Sequence, residues 1–176
     1  KDDHLKEIIT LARVVLSDST VAVITKSQFV RNSPDILYKG NKIIEAAMQT
    51  GRMVNLCNGK IRNNIFPAEA ALASDIVINH VVGATAGLEA ALAGSRCILL
   101  NPYGIQDQNT EIYKDANILY NNIDSALRAV SFLRKGENKY QDLGSWELII
   151  DLFDSYRDGQ ASKRMLALLE KKILYE

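Results

Sequence analysis

The sequence predicts an α/β protein: a Rossmann-like, doubly wound and mostly parallel sheet with helices on both faces, plus C-terminal helices. Three observations predict it. Short apolar runs alternate with helical stripes along most of the chain. The segments between runs hold helices of about ten residues, the length that βαβ crossovers use. One run, residues 76–79, leads through a small-residue turn and a short helix to a glycine stop and a further apolar run. Sheets of this kind bind ligands at the carboxyl ends of their strands, near a switch in strand order.

Each element follows from its residues. Leu5, Ile8, Ile9, Ala12, Val15 and Leu16 recur at helical spacing and give an opening helix. Residues 21–24 form a continuous apolar run, the pattern of a strand buried on both faces. Residues 31–35, Arg-Asn-Ser-Pro-Asp, signal a loop. Ile43, Ile44, Ala47 and Met48 make a helical stripe that stops at Gly51. Residues 53–57 read as the second strand, and Asn58, Gly59 and Lys60 as a turn. Pro67 suits the first turn of a helix that continues to Ser74. Residues 76–79, 96–100 and 117–120 are the third, fourth and fifth strands. Asn122 or Asp124 caps a helix running to about Arg134. Residues 146–153 and 161–173 read as two more helices, separated by Asp158 and Gly159.

The 176 residues fit one domain, with 47% hydrophobic residues for a core. Lys+Arg and Asp+Glu both number 21, and no long basic block appears. A general nucleic-acid binder is therefore not expected. Cys57 and Cys97 lie in apolar runs and read as buried, reduced thiols. No apolar run approaches the ~20 residues of a membrane span. The default location is the cytoplasm. Lys1 is not a natural start, which points to a chain cut from a longer one.

The candidate chemistry sits in Gly83-Ala84-Thr85-Ala86-Gly87-Leu88-Glu89-Ala90-Ala91-Leu92-Ala93-Gly94. Such a turn delivers unpaired N–H groups and a hydroxyl to the positive end of a helix, a place that suits phosphate. Gly83 and Gly87 allow close backbone approach, and Thr85 can donate its hydroxyl. The alternative is that Thr85 caps the helix and the small residues serve packing. The dinucleotide fingerprint and the P-loop are both absent from this stretch. Glu89 lies on a helix otherwise built of Ala, Leu and Gly. A carboxylate there needs a partner: a sugar hydroxyl, or a salt bridge to Arg96 or Lys26.

These residues, with Ala73-Ser74-Asp75-Ile76-Val77-Ile78 before them, resemble the donor-site signature of GT-B glycosyltransferases, in their C-terminal domain. Leu143-Gly144-Ser145-Trp146 and residues 154–164, Asp-Ser-Tyr-Arg-Asp-Gly-Gln-Ala-Ser-Lys-Arg, resemble the tail of bacterial members that make surface polysaccharides. The resemblance covers roughly residues 20 to 170. It implies that residues 1–176 are one Rossmann-like domain whose N-terminal partner domain lies outside this chain. The substrate it implies is a nucleotide sugar, with no metal or other cofactor. Gly83, Ala84 and Thr85 would face the donor phosphates, and Glu89 would hold the ribose. Lys26, at the end of the first strand, would neutralise the pyrophosphate. Tyr103, in Pro102-Tyr103-Gly104, would line the cleft and stack on a base or sugar. Sugar transfer would need the absent domain, and any inner-membrane association would come through the rest of the protein.

Many retaining members carry a second glutamate eight residues before the helix glutamate, where this chain has Val81. His80 is the nearest titratable group, a candidate catalytic residue or phosphate donor, or else a satisfied structural histidine. Two other functions stay open: a sugar-nucleotide epimerase of the same architecture, and a non-catalytic nucleotide-binding module. The last helix carries Lys163, Arg164, Lys171 and Lys172 with Met165, Leu166, Leu169, Ile173 and Leu174. Packing on this domain or on the absent one is favoured over a membrane-surface helix, because Glu170 and Glu176 dilute its basic face.

Overall fold

The computed structural model describes residues 2–57 and 59–173. Asn58, Leu174 and Glu176 lie outside the described residues, as do the side chains of Lys171, Lys172 and Ile173. The chain is α/β, with eight α-helices and two small parallel sheets among the described residues.

The opening helix forms as α1, Asp2–Ser17. It is followed by β1, Val23–Thr25, and the short helix α2, Pro34–Leu37. Helix α3, Lys42–Gln49, starts where the Asn41 side chain accepts from the Ile43 and Ile44 amides. Strand β2, Met53–Asn55, pairs in parallel with β1. Ile8, Ala12 and Val15 of α1 are buried with Ile44, Ala47 and Met53, which covers one face of this pair.

The second half begins with α4, Pro67–Leu72, where Glu69 Oε2 accepts from the Phe66 amide at 2.6 Å. Strand β3, Val77–His80, leads to α5, Thr85–Leu92, and then β4, Cys97–Leu100. Helix α6, Gln108–Asp115, precedes β5, Leu119–Tyr120, and α7, Ile123–Arg134, which Asn122 caps. The sheet order is β3-β4-β5, all parallel, with His80, Leu100 and Tyr120 level at the carboxyl ends. All of β4 is buried. Cys97 and Leu99 face a core with Ala90, Tyr113 and Trp146. Ile98 and Leu100 face another with Ile123, Ala126 and Ala129.

Helix α1 links the halves. Glu7 Oε2 is 2.9 Å from His80 Nε2 at the carboxyl end of β3. At the other end of α1, Asp18 takes a 2.8 Å ion pair from Arg134, the last residue of α7. Leu11, between them, packs against buried clusters of both halves.

Several expectations change. The first strand spans residues 23–25 rather than 21–24, and it is half-buried, because β2 is its only hydrogen-bonded neighbour among the described residues. Cys57 is exposed, since the chain leaves β2 two residues earlier. Cys97 is buried as expected, and burial pushes its thiol up to about 12. Residues 146–153 do not form a helix but turns and a 3-10 segment, Ile150–Leu152. There the Trp146 indole donates to the Cys97 carbonyl at 2.9 Å and holds the chain against the start of β4. Helix α6 went unforeseen because its sequence is polar; an Asp107–Thr110 capping box starts it. The last helix forms as α8, Ala161–Ile173, and among its described side chains the apolar Met165, Leu166, Leu168 and Leu169 are all exposed rather than packed on this domain.

Candidate functional site

The turn from β3 to α5 starts when the Val81 amide donates to Leu100 O at 2.9 Å. Gly83 then takes φ +82°, a left-handed conformation in which a side chain would be strained. Asn79 Nδ2 donates to Gly83 O at 3.2 Å and ties the turn to its strand. The residue before the helix is Ala84, which offers no side-chain acceptor. Thr85 is therefore the first helical residue and not the cap. No backbone carbonyl among the described residues accepts from the Val82, Gly83 or Thr85 amide. The loop thus leaves donors open at the positive end of α5.

Helix α5 divides its faces. Gly87 and Ala90 are buried. A Cβ at Gly87 would lie 2.9 Å from Leu99 Cδ2 and 3.1 Å from Cys97 Sγ. Gly87 therefore serves helix–sheet packing rather than ligand approach. Ala84 and Leu88 pack against the same core. Thr85 and Glu89, four residues apart, share the opposite face and are exposed. The Glu89 side chain has no hydrogen bond or ion pair among the described residues, so neither Arg96 nor Lys26 neutralises it. Arg96 instead donates to the carbonyls of Gln141 and Leu143.

His80 ends β3 beside this loop. Its hydrogen bond to the nearly buried Glu7 raises its pKa, against the lowering effect of burial. His4, on the same helix as Glu7, bonds Tyr38 Oη at 2.5 Å, and its pKa falls, chiefly through burial. Tyr103 stands in the loop after β4 and is 63% exposed. That loop is fixed by Asn101, whose side chain bonds both the amide and the carbonyl of Ile105 at 2.8 Å. Lys26 follows β1 and is half-buried.

The structure thus brings Gly83, Ala84, Thr85 and Glu89 together on one loop and helix. His80 and the Tyr103 loop lie at the level carboxyl ends of the same sheet. Lys26 follows β1 of the other sheet, and no ion pair joins it to them among the described residues. Glu7 and Asn101 escaped the sequence reading. An acid beside an apolar helical stripe, and an Asn directly after a fully apolar strand, were the available signals. An open cleft of about 300 Å³ lies elsewhere, at the amino end of β4, lined by Gly94, Arg96, Asp142, Trp146 and Arg157 among others. It is formed between the end of α5, the start of β4 and the tail, at the opposite end of the sheet from the Gly83 turn.

The tail residues have local structural work. Cys97 N donates to Gly144 O at 2.8 Å. Arg164 bonds both Asp158 oxygens, at 2.9 and 2.8 Å, and its guanidinium carbon lies 4.0 Å from the Tyr156 ring centroid. Among the described residues, no group of acids, histidines and cysteines is arranged to hold a metal, and no helix is long and apolar enough to cross a membrane. The chain matches no family model, no curated protein and no solved structure.

Proposed function

We propose that this chain is the donor-binding domain of a GT-B glycosyltransferase of surface-polysaccharide synthesis, and that it takes a nucleotide sugar at the Gly83 turn. One observation carries the reading. An open-amide turn at a parallel strand's carboxyl end leads into a helix whose exposed Glu89 carboxylate has no partner among the described residues. Phosphate oxygens would accept from the turn amides and the Thr85 hydroxyl. Glu89 would accept from two ribose hydroxyls. Tyr103 would cover the base or the sugar.

The finer architecture belongs to the same proposal. Setting β1 beside β3 joins the two sheets in the order 2-1-3-4-5, a doubly wound arrangement whose switch point lies between β1 and β3. The Glu7–His80 and Asp18–Arg134 contacts support it, because α1 then spans the switch. Lys26 and the Gly83 turn would flank the crevice from either side. Charge developing on the departing nucleoside diphosphate would be met by fixed N–H dipoles and by Lys26, without a metal. The acceptor pocket and the catalytic base belong to the domain outside this chain.

Isothermal titration tests the reading. Glu89→Ala should weaken nucleotide binding by about 1–3 kcal/mol, the scale of a lost charged hydrogen bond. Unchanged affinity removes Glu89 from the site.

The Glu7–His80 pair gives a second reading some footing, because an epimerase needs acid and histidine groups beside the sugar ring. Release of free nucleotide without any acceptor sugar would favour it.

A further inference from the structure

Residues 26–33 and 59–66 follow β1 and β2 and contain Lys26, Arg31, Lys60 and Arg62 but no acid. In a chain with 21 acidic and 21 basic residues, this is a local excess of positive charge. The two segments are tied together. Val30 N donates to Ile61 O at 3.0 Å, Asn63 N donates to Gln28 O at 2.9 Å, and Phe29 bridges Arg62 in antiparallel fashion. The Arg31 and Arg62 guanidinium carbons each lie 5.4 Å from the Phe29 ring centroid. None of the four cations forms an ion pair among the described residues.

The neighbouring acids are engaged elsewhere. Asp35 accepts from Asn55 Nδ2 at 3.1 Å, and Glu69 accepts from the Phe66 amide. The second loop is tightly built: Gly59 has φ +141°, and a Cβ there would meet Arg62 O at 2.1 Å. The Asn63 side chain bonds Leu56 O and the Ile65 amide. Beside the cations, Ile61 is 76% and Phe66 67% exposed.

We infer that this face docks on an anionic lipid bilayer, with Arg31, Lys60 and Arg62 at headgroup phosphates and Ile61 and Phe66 in the interfacial layer. Cations without acidic partners gain from an anionic surface, and exposed apolar side chains gain from its acyl boundary. A small soluble anion would account for the cations and leave Ile61 and Phe66 unexplained. The inference uses none of the residues at the Gly83 turn and leaves Lys26 to the donor-site reading.

Vesicle flotation of the full chain tests it. Vesicles of phosphatidylcholine with roughly one third phosphatidylglycerol should float the protein, and pure phosphatidylcholine should not. Arg31→Gln/Lys60→Gln/Arg62→Gln should lower the apparent affinity by about tenfold or more, and added salt should do the same. Ile61→Ser/Phe66→Ser should lower it at constant charge, and Arg31→Lys/Arg62→Lys should keep it. If circular dichroism shows that the triple variant has lost its fold, Lys60→Gln alone must still weaken binding. No flotation on anionic vesicles overturns the inference. Capture of soluble polyphosphate without flotation overturns it in favour of a soluble polyanion. Equal flotation of a folded triple variant overturns it by moving the contact elsewhere, such as to α8.

Discussion

The β3-β4-β5 half and the β1-β2 half are built from the same parallel pairing but differ in burial. Strand β4 is buried along its whole length and has a core on each face. Strands β1 and β2 are three residues each and mostly half-buried, with one buried cluster from α1 and α3. The better-packed half carries the Gly83 turn, and the less buried half carries the basic loops after β1 and β2. Rigidity in this chain is thus concentrated behind the small-residue turn.

Matched truncations give the largest contrast. Leu99→Ala in β4 should cost about 2–5 kcal/mol by chemical denaturation, since it empties a fully packed site. Val54→Ala in β2, where the side chain is 40% exposed, should change stability by no more than about 0.5 kcal/mol. Equal losses would erase the difference between the halves. A smaller effect is expected from Gly87→Ala, whose new methyl meets Leu99 and Cys97 inside normal contact distance. Overpacking should cost about 1–3 kcal/mol there. A neutral result would mean that α5 can move away from β4, and the turn would then not be rigid.

The smallest effect lies at the seam between the halves. His80 is held charged by Glu7, so its contribution is complete below the ordinary imidazole value of about 6.5 and is lost as pH rises through its raised folded value. His4 is held neutral, so its contribution is complete above that value and is lost as pH falls through its lowered one. Denaturation midpoints between roughly pH 5 and 8 should therefore peak near the ordinary value. Glu7→Gln should flatten the alkaline side and steepen the acid side, because the Glu7 charge also opposes the lowering of the His4 pKa. An unchanged alkaline side would show that Glu7 does not hold the His80 charge.

The sequence exposed the elements whose signals are local. The turn, helix and strand through Gly83–Gly94, the Asn122 cap and the Gly51 stop are each set by residues close in sequence, and these local structures form as expected. What escaped depended on distant partners. The run at residues 21–24 looks as apolar as β4, yet β2 is the one strand hydrogen-bonded to β1 among the described residues, and β1 is half-buried. Residues 146–153 look helical, but the Trp146 indole is drawn to a carbonyl 49 residues away. At the candidate site, the turn and the helix that carries Thr85 and Glu89 were legible. The Glu7 partner of His80 was not, because a fold brings residues 73 positions apart together.

The most direct measurement is a titration with UDP, GDP, CMP and ADP followed by amide NMR shifts. The account predicts saturable shifts at Gly83, Thr85 and Glu89 with one of the four, which would also name the base. No shift at those amides with any of them would contradict it and leave the turn as packing alone.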